Sequence, residues 1–520
     1  MTSAPVVMIG WDAADWRLVQ ALAGAGELPT LASLLRDGVH GALRSVAETY
    51  AGGVWPTFYT GKGPEWHGIY HNKLWRQERM RCETVNPAWL PERPFWERWA
   101  RGSGARVCAI DVPMTLGQPA EVDGIQIAGW ATHDLVSRGT APPGVWRDLR
   151  RRFGRPIMEP EHFGPQTPDS LRRLRRNLVS GTRQQGALCA DLLARERWDL
   201  FLAVFGAPHR AGHYLFDLSQ LSEQNAASLD RESRLELAGG LVGVYRACDE
   251  ALARILDAAP AGARVLVFAV HGMQKNRGWS DLCPALVDRM QRGGASDAPK
   301  HGLLYRLKTA LPPRLAEDAV SLLPLSVRQR LVSVWSAKMF DWSRTEYFPL
   351  PMDQAGYLRV NLRGREAEGI VDPGAAYDAL CDRLTEDLLT WCDLASGRPI
   401  VSEVHRAWRD APPEASHRDG LPDLVVTWSD ELATESPGVT SPRFGEVRLP
   451  ARGRLPSGRS GNHRNEGWFA AAGPGVGAAR NDGHIVDLAS TVHEWLSLDA
   501  PADLTGRSLF AARAARQFGQ

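Results

Sequence analysis

The sequence predicts an α/β protein built on a mostly parallel central sheet flanked by helices, with one helical insertion. Three observations carry this prediction. Short apolar runs bounded by turn residues alternate with amphipathic stretches, the pattern of strands covered by crossover helices. Between two of those runs, Leu241, Val244, Tyr245, Cys248, Leu252 and Ile255 recur at three- and four-residue steps, giving a β-α-β unit with one helical face on the sheet. From 278 to 338 the chain is rich in Leu, Pro and Arg, has helical periodicity and shows no convincing strand.

Taken in order, the predicted strands are residues 6–10, 106–111, 199–205, 264–270 and 423–427, followed by an apolar run at 468–472. If the sheet is parallel, the loops leaving the carboxyl ends of its strands share one rim, where ligands bind in open α/β sheets. Residues 140–183 are Arg- and Pro-rich and read as an irregular excursion, either a lid or a solvated surface. Residues 429–459 read as loop. The organisation predicted is one large core, 1–277 together with 339–520, interrupted by a helical cap at 278–338.

Composition narrows the function classes. The 520 residues are 44% hydrophobic and 23% charged with a formal net charge of +1, so no global basic field recruits nucleic acid or an anionic membrane. Any anion site must be local. No run of 18 apolar residues is present, and Met1 to Pro5 leads into Val6 without a basic segment or cleavage site, so no membrane partner and a cytoplasmic location are expected. Seven cysteines, odd in number and without a C-x-x-C pair, indicate buried thiols and neither a disulfide framework nor a cysteine zinc site.

The residues that carry chemistry fall after the predicted strands. Asp12 follows the first, as a metal ligand or a helix cap. His209 and His213 follow the third, four residues apart, a spacing that can aim two imidazoles at one ion from a helical turn. His271 follows the fourth. His463 precedes the apolar run at 468–472. Each histidine alone is more often structural than ligating; together with Asp12 they form an acid-and-imidazole set on four segments that one sheet would gather. Arg210, Lys275 and Arg464 adjoin this set and are candidates for neutralising an anion. Asn276 and Asn462 are candidates for turn caps or for orienting a substrate oxygen. Trp11, Trp55 and Trp279 lie near the rim, and core packing is their commoner use. Thr60 to Gly63 lacks the spacing of a phosphate loop.

In order along the chain, Ile9-Gly10-Trp11-Asp12, Leu28 to Leu31, Val54 to Ile69, His271-Gly272-Met273 and His463 to Gly467 resemble the alkaline phosphatase superfamily, and within it the type I phosphodiesterase and nucleotide pyrophosphatase group. Asp341, Trp342 and the stretches 357–361, 364–366, 487–492 and 504–509 are also similar to that group. The resemblance implies an alkaline-phosphatase-like sheet and a hydrolase with two adjacent metal sites, usually zinc. It also implies a Thr or Ser nucleophile that takes up the phosphoryl group covalently. By the same resemblance Asp12 and His271 belong to the metal site that holds the nucleophile, and His209, His213 and His463 to the other.

Three positions depart from that pattern. Val270 stands where the family has an Asp before His271. His209 stands where it has an Asp four residues before His213. Counted back from Gly61, the nucleophile position falls on Ala51, and only a two-residue shift brings in Thr49, with Tyr50 the next candidate. Two lost carboxylates weaken the hold on a second divalent cation, whereas three imidazoles match mononuclear catalytic zinc sites. The expectation is therefore a zinc-dependent hydrolase of a phosphoester or phosphodiester, with one Zn2+ and a doubtful second. Thr49, Asp12 and His271 are its candidate catalytic residues, and its substrate is a small, anionic molecule. The alternatives are a mononuclear-zinc enzyme whose bound water attacks a non-phosphate ester or amide, and a pseudoenzyme that keeps the fold as a binding module.

Overall fold

The computed structural model describes residues 4–510 apart from 87–88, 90–91, 100–103, 116–121, 133–137, 160–163, 165, 294–339, 430–435, 450–456 and 481. An eight-stranded sheet forms its centre. The strands are β1 (Val6–Trp11), β2 (Val39–Arg44), β3 (Arg106–Ile110), β4 (Asp123–Ala128), β5 (Gly139–Ala141), β6 (Leu200–Phe205), β7 (Arg264–Ala269) and β14 (Glu466–Ala472). They lie in the order β2-β14-β7-β1-β6-β3-β4-β5. The five strands from β7 to β4 run parallel, and β14 is antiparallel to both its neighbours.

Every residue of β1 and of β6 is buried, as expected for strands covered on both faces. Helices α1 (Trp16–Gly24) and α2 (Pro29–Asp37) follow β1; one face of the sheet packs against α5 (Pro168–Arg195) and α7 (Gly240–Ala258), and the other against α3 (Val54–Thr60) and α10 (Asp487–Leu496). The predicted stripe on α7 is buried against the sheet through Leu241, Val244, Cys248, Leu252 and Ile255.

Most of the described residues in 140–183 form regular structure. They contain part of β5, the helix α4 (Gly144–Phe153) and the first half of α5, a 28-residue helix whose start is fixed by a capping box between Thr167 and Ser170. Arg172, Arg173, Arg175 and Arg183 occupy its outer face and pair with Glu236, Glu159 and Glu250, while Leu171, Leu174 and Leu178 face inward. The arginines hid an amphipathic pattern.

The predicted strand at 423–427 is also real, but it belongs to a second sheet. This sheet is antiparallel, ordered β9 (Tyr347–Pro349), β10 (Gly356–Val360), β12 (Leu424–Trp428) and β11 (Val401–His405). Its core is shared with α8 (Trp279–Gln291) and α9 (Ala375–Leu389). Of the proposed cap, α8 buries Leu282, Cys283, Leu286 and Val287 in that core, and residues 294–339 lie outside the described ones. The 429–459 stretch holds a hairpin, Gly438–Ser441 with Gly445–Arg448.

Candidate metal centre

Sheet polarity brings the site together. β1, β6 and β7 are parallel, so Asp12, the helix α6 (Ala207–Tyr214) and His271 all leave the same rim. Because β14 runs the other way, it is the segment before it that arrives there. That segment is β13 (Gly461–Arg464), which pairs with β8 (Gly272–Lys275) in a two-stranded ribbon placing His463 opposite Met273.

His209 and His213 sit one turn apart on α6. His209 Nε2 lies 3.0 Å from His213 Nε2 and 3.0 Å from His463 Nε2. The three imidazoles offer ligand atoms all within 4.8 Å of one another. Nitrogens sharing one tetrahedral zinc at the usual bond length lie about 3.3 Å apart. His213 Nδ1 donates to the Gly461 carbonyl at 3.0 Å, which leaves the lone pair on Nε2, facing the cluster. Burial pushes the His213 pKa well below its usual value, helped by the nearby Arg459 and His463, so the ring is a neutral donor.

Asp12 is 4% exposed. Its Oδ1 accepts the indole N–H of Trp55 at 3.0 Å, and its Oδ2 lies 3.4 Å from His209 Nδ1. His271 completes the group with its ring centre 4.9 Å from that of His463 and 6.1 Å from that of His209. Both of its ring nitrogens are buried and have no hydrogen-bond partner among the described residues. Burial lowers its pKa well below the usual value, with His463 adding to the effect. An imidazole kept neutral and unpaired in a buried site, beside three converging ones, suits a place where a cation and a reacting group are handled.

The structure does not bring Thr49 into this cluster. Its hydroxyl donates back to the Val46 carbonyl at 3.3 Å, and the residue lines a separate cavity of about 460 Å3 with Arg44, Glu65, Arg480 and His484. Ala51 is buried in a single 3-10 turn. Tyr50 stacks on Tyr357, with ring centres 6.4 Å apart. Arg210, 1% exposed, donates to the carbonyls of Glu159 and Ala131 and holds loops together. Asn276 bridges the Arg459 carbonyl and the Gly278 amide, and Asn462 accepts from the His463 amide. Trp11 packs edge-on against Tyr245 and Trp468 in the core. Lys275, Arg464 and Trp279 line a polar cavity of about 210 Å3 with Gln274, Asn462 and Glu466.

One residue at the site carried no sequence signal and another only a partial one. Asp353 forms an ion pair of 2.6 Å with Arg459, and its backbone carbonyl accepts from Asn462 at 3.4 Å. Burial raises its pKa, but Arg459, His463, His213 and His71 together outweigh that and hold the carboxyl far below the usual range. Trp55 was legible only as a rim aromatic.

The imidazole and carboxylate cluster at the carboxyl rim of the sheet suits metal-dependent hydrolysis, and the chain is a hydrolase of the alkaline phosphatase superfamily. More narrowly, the chain belongs to the type I phosphodiesterase / nucleotide pyrophosphatase family, whose model matches residues 6–434. Among solved structures it is similar to phosphonoacetate hydrolase from Sinorhizobium meliloti 1021 in complex with phosphonoformate, at 14% identity over 96% of each chain and a TM-score of 0.52. Murine ectonucleotide pyrophosphatase / phosphodiesterase 5 in complex with AMP matches over 96% of each chain at 13% identity and a TM-score of 0.44. The first likeness shows the shared fold. No curated protein matches the sequence.

Proposed function

We propose that this chain hydrolyses a small anionic phosphoester or phosphodiester with a single divalent cation, zinc by the chemistry of its donors, held by His209, His213 and His463. The observation that carries the reading is the convergence of three Nε2 atoms, one of them left with its lone pair because the Gly461 carbonyl keeps the His213 proton on Nδ1. A cation bound there supplies Lewis acidity to a phosphoryl oxygen and acidifies coordinated water.

The chain's own groups divide the remaining work. His271, unpaired beside the three imidazoles, takes a proton from the attacking water at a ring nitrogen and returns it to the departing ester oxygen. Ala51 offers no hydroxyl and Thr49 is bonded elsewhere, which favours attack by water over a covalent intermediate. The same observation keeps a second reading in play, hydrolysis of a non-phosphate ester or amide at the same centre. Seven free cysteines, six of them buried, support a reducing compartment, and we place the protein in the cytoplasm.

Elemental analysis of the purified chain tests the metal, with one equivalent of zinc expected and none in His213→Ala. Turnover of bis(p-nitrophenyl) phosphate and p-nitrophenyl phosphate, beside p-nitrophenyl acetate, separates the two bond classes. A metal-loaded chain that turned over only the acetate would replace the phosphoester reading by the second.

A further inference from the structure

We propose that Asp12 is a positioning residue for His209 and takes no cation itself, so that the site is built for one cation per chain. The proposal rests on the single-cation reading above and deepens it. Asp12 sits on the turn leaving β1, and its Oδ2 is 3.4 Å from Nδ1 of His209. The opposite nitrogen of the same ring, Nε2, is the one that meets His213 and His463. A ring that offers one nitrogen to a cation and the other to a carboxylate is locked in one tautomer and made a stronger donor. Two of the three imidazoles are backed in this way, His213 by the Gly461 carbonyl and His209 by Asp12.

The other carboxylate oxygen is taken as well. Oδ1 accepts the Trp55 indole N–H at 3.0 Å. An indole nitrogen is a donor only, so it presents the positive end of its N–H dipole where a second cation would approach Oδ1. The ring cannot swing away easily: Trp55 is 7% exposed and meets Phe58 and Phe268 edge-on, with ring centres 5.6 Å and 6.3 Å away. Next to His271 in the chain, Val270 offers hydrocarbon where a carboxylate would bind a cation, and it is fully buried in the core.

The test measures zinc stoichiometry by equilibrium dialysis and affinity by competition with a chromophoric chelator, on the full chain, Asp12→Asn and Trp55→Phe. The wild type is expected to bind one equivalent. Asp12→Asn should also bind one, about 10- to 100-fold more weakly, the usual effect of removing a carboxylate behind a ligating histidine. With cobalt(II) in place of zinc, its visible band should persist in Asp12→Asn but shift, a change that loss of fold stability alone does not produce. If Asp12→Asn fails to fold by circular dichroism, Trp55→Phe carries the test, since it keeps a ring between Phe58 and Phe268. Weaker binding of one equivalent there, or gain of a second, supports the proposal; one equivalent at unchanged affinity overturns it. Unchanged affinity in Asp12→Asn overturns it too, as do two equivalents in the wild type with one lost in Asp12→Asn. No zinc bound by the wild type would instead remove the single-cation reading beneath it.

Discussion

At position 51 the side chain is a methyl group, and two residues earlier Thr49 turns its hydroxyl into its own backbone turn. Thr49→Ala should therefore leave kcat within about two-fold of wild type, since it removes no group that touches the reacting atoms. A loss of 100-fold or more in single-turnover assays would restore a covalent role for that residue. The five polar residues now grouped at the rim were readable in the sequence because each directly follows, or closely precedes, an apolar run. Asp353 was not, and Trp55 was readable only as an aromatic near the rim, not as a partner of Asp12. Trp55 lies on a helix from the opposite face of the sheet, and Asp353 depends on Arg459, 106 positions away, a pairing that no local pattern encodes.

At the scale of elements, the reading succeeded where burial was two-sided and periodicity was clean, as in β1, β6 and α7. It failed on α5, whose outer arginines masked the inner leucines, and on β12, where an apolar run gives no clue to which of two sheets it joins. The element that matters most for the site is the ribbon of β8 and β13, pressed onto α6. Ser460 donates its amide to the His213 carbonyl at 2.7 Å, and a Cβ on Gly461 would collide with the backbone carbonyl of Gly212. Neither backbone can give way without moving a histidine. Gly461→Ala is thus expected to cost about 1–3 kcal/mol, as overpacking does, and to weaken zinc binding more than it lowers thermal stability. Chelator competition beside thermal melting checks this, and an unchanged zinc affinity would contradict it.

For the whole molecule, the described histidines with a clear shift all move the same way. Burial is the leading cause in His67, His71, His213 and His271, and with the nearby His417 it takes His67 down to about 3. His67 is fixed as a neutral ring, accepting the Ile69 amide on Nδ1 and meeting Thr57 Oγ1 with Nε2. Such a ring stays unprotonated in the folded chain while its unfolded counterpart gains a proton below about 6.5, so its stability contribution is complete above that pH. Stability is then lost on the way down toward pH 3, by up to about 1.4 kcal/mol per pH unit for each such group. The metal-free chain should melt at a lower temperature at pH 5 than at pH 7.5, and the opposite order would contradict the assignment of these rings as neutral.

β14 lies between β2 and β7, joining strands that begin at Val39 and Arg264 through one that begins at Glu466. During synthesis, some 460 residues must leave the ribosome before that gap can close, and His463 emerges just ahead of the strand that closes it. Until then the nascent chain carries two open sheet edges and only two of the three imidazoles. Completion of the imidazole triad and closure of the sheet are thus timed by the same short stretch of chain, so the centre exists only in the finished fold.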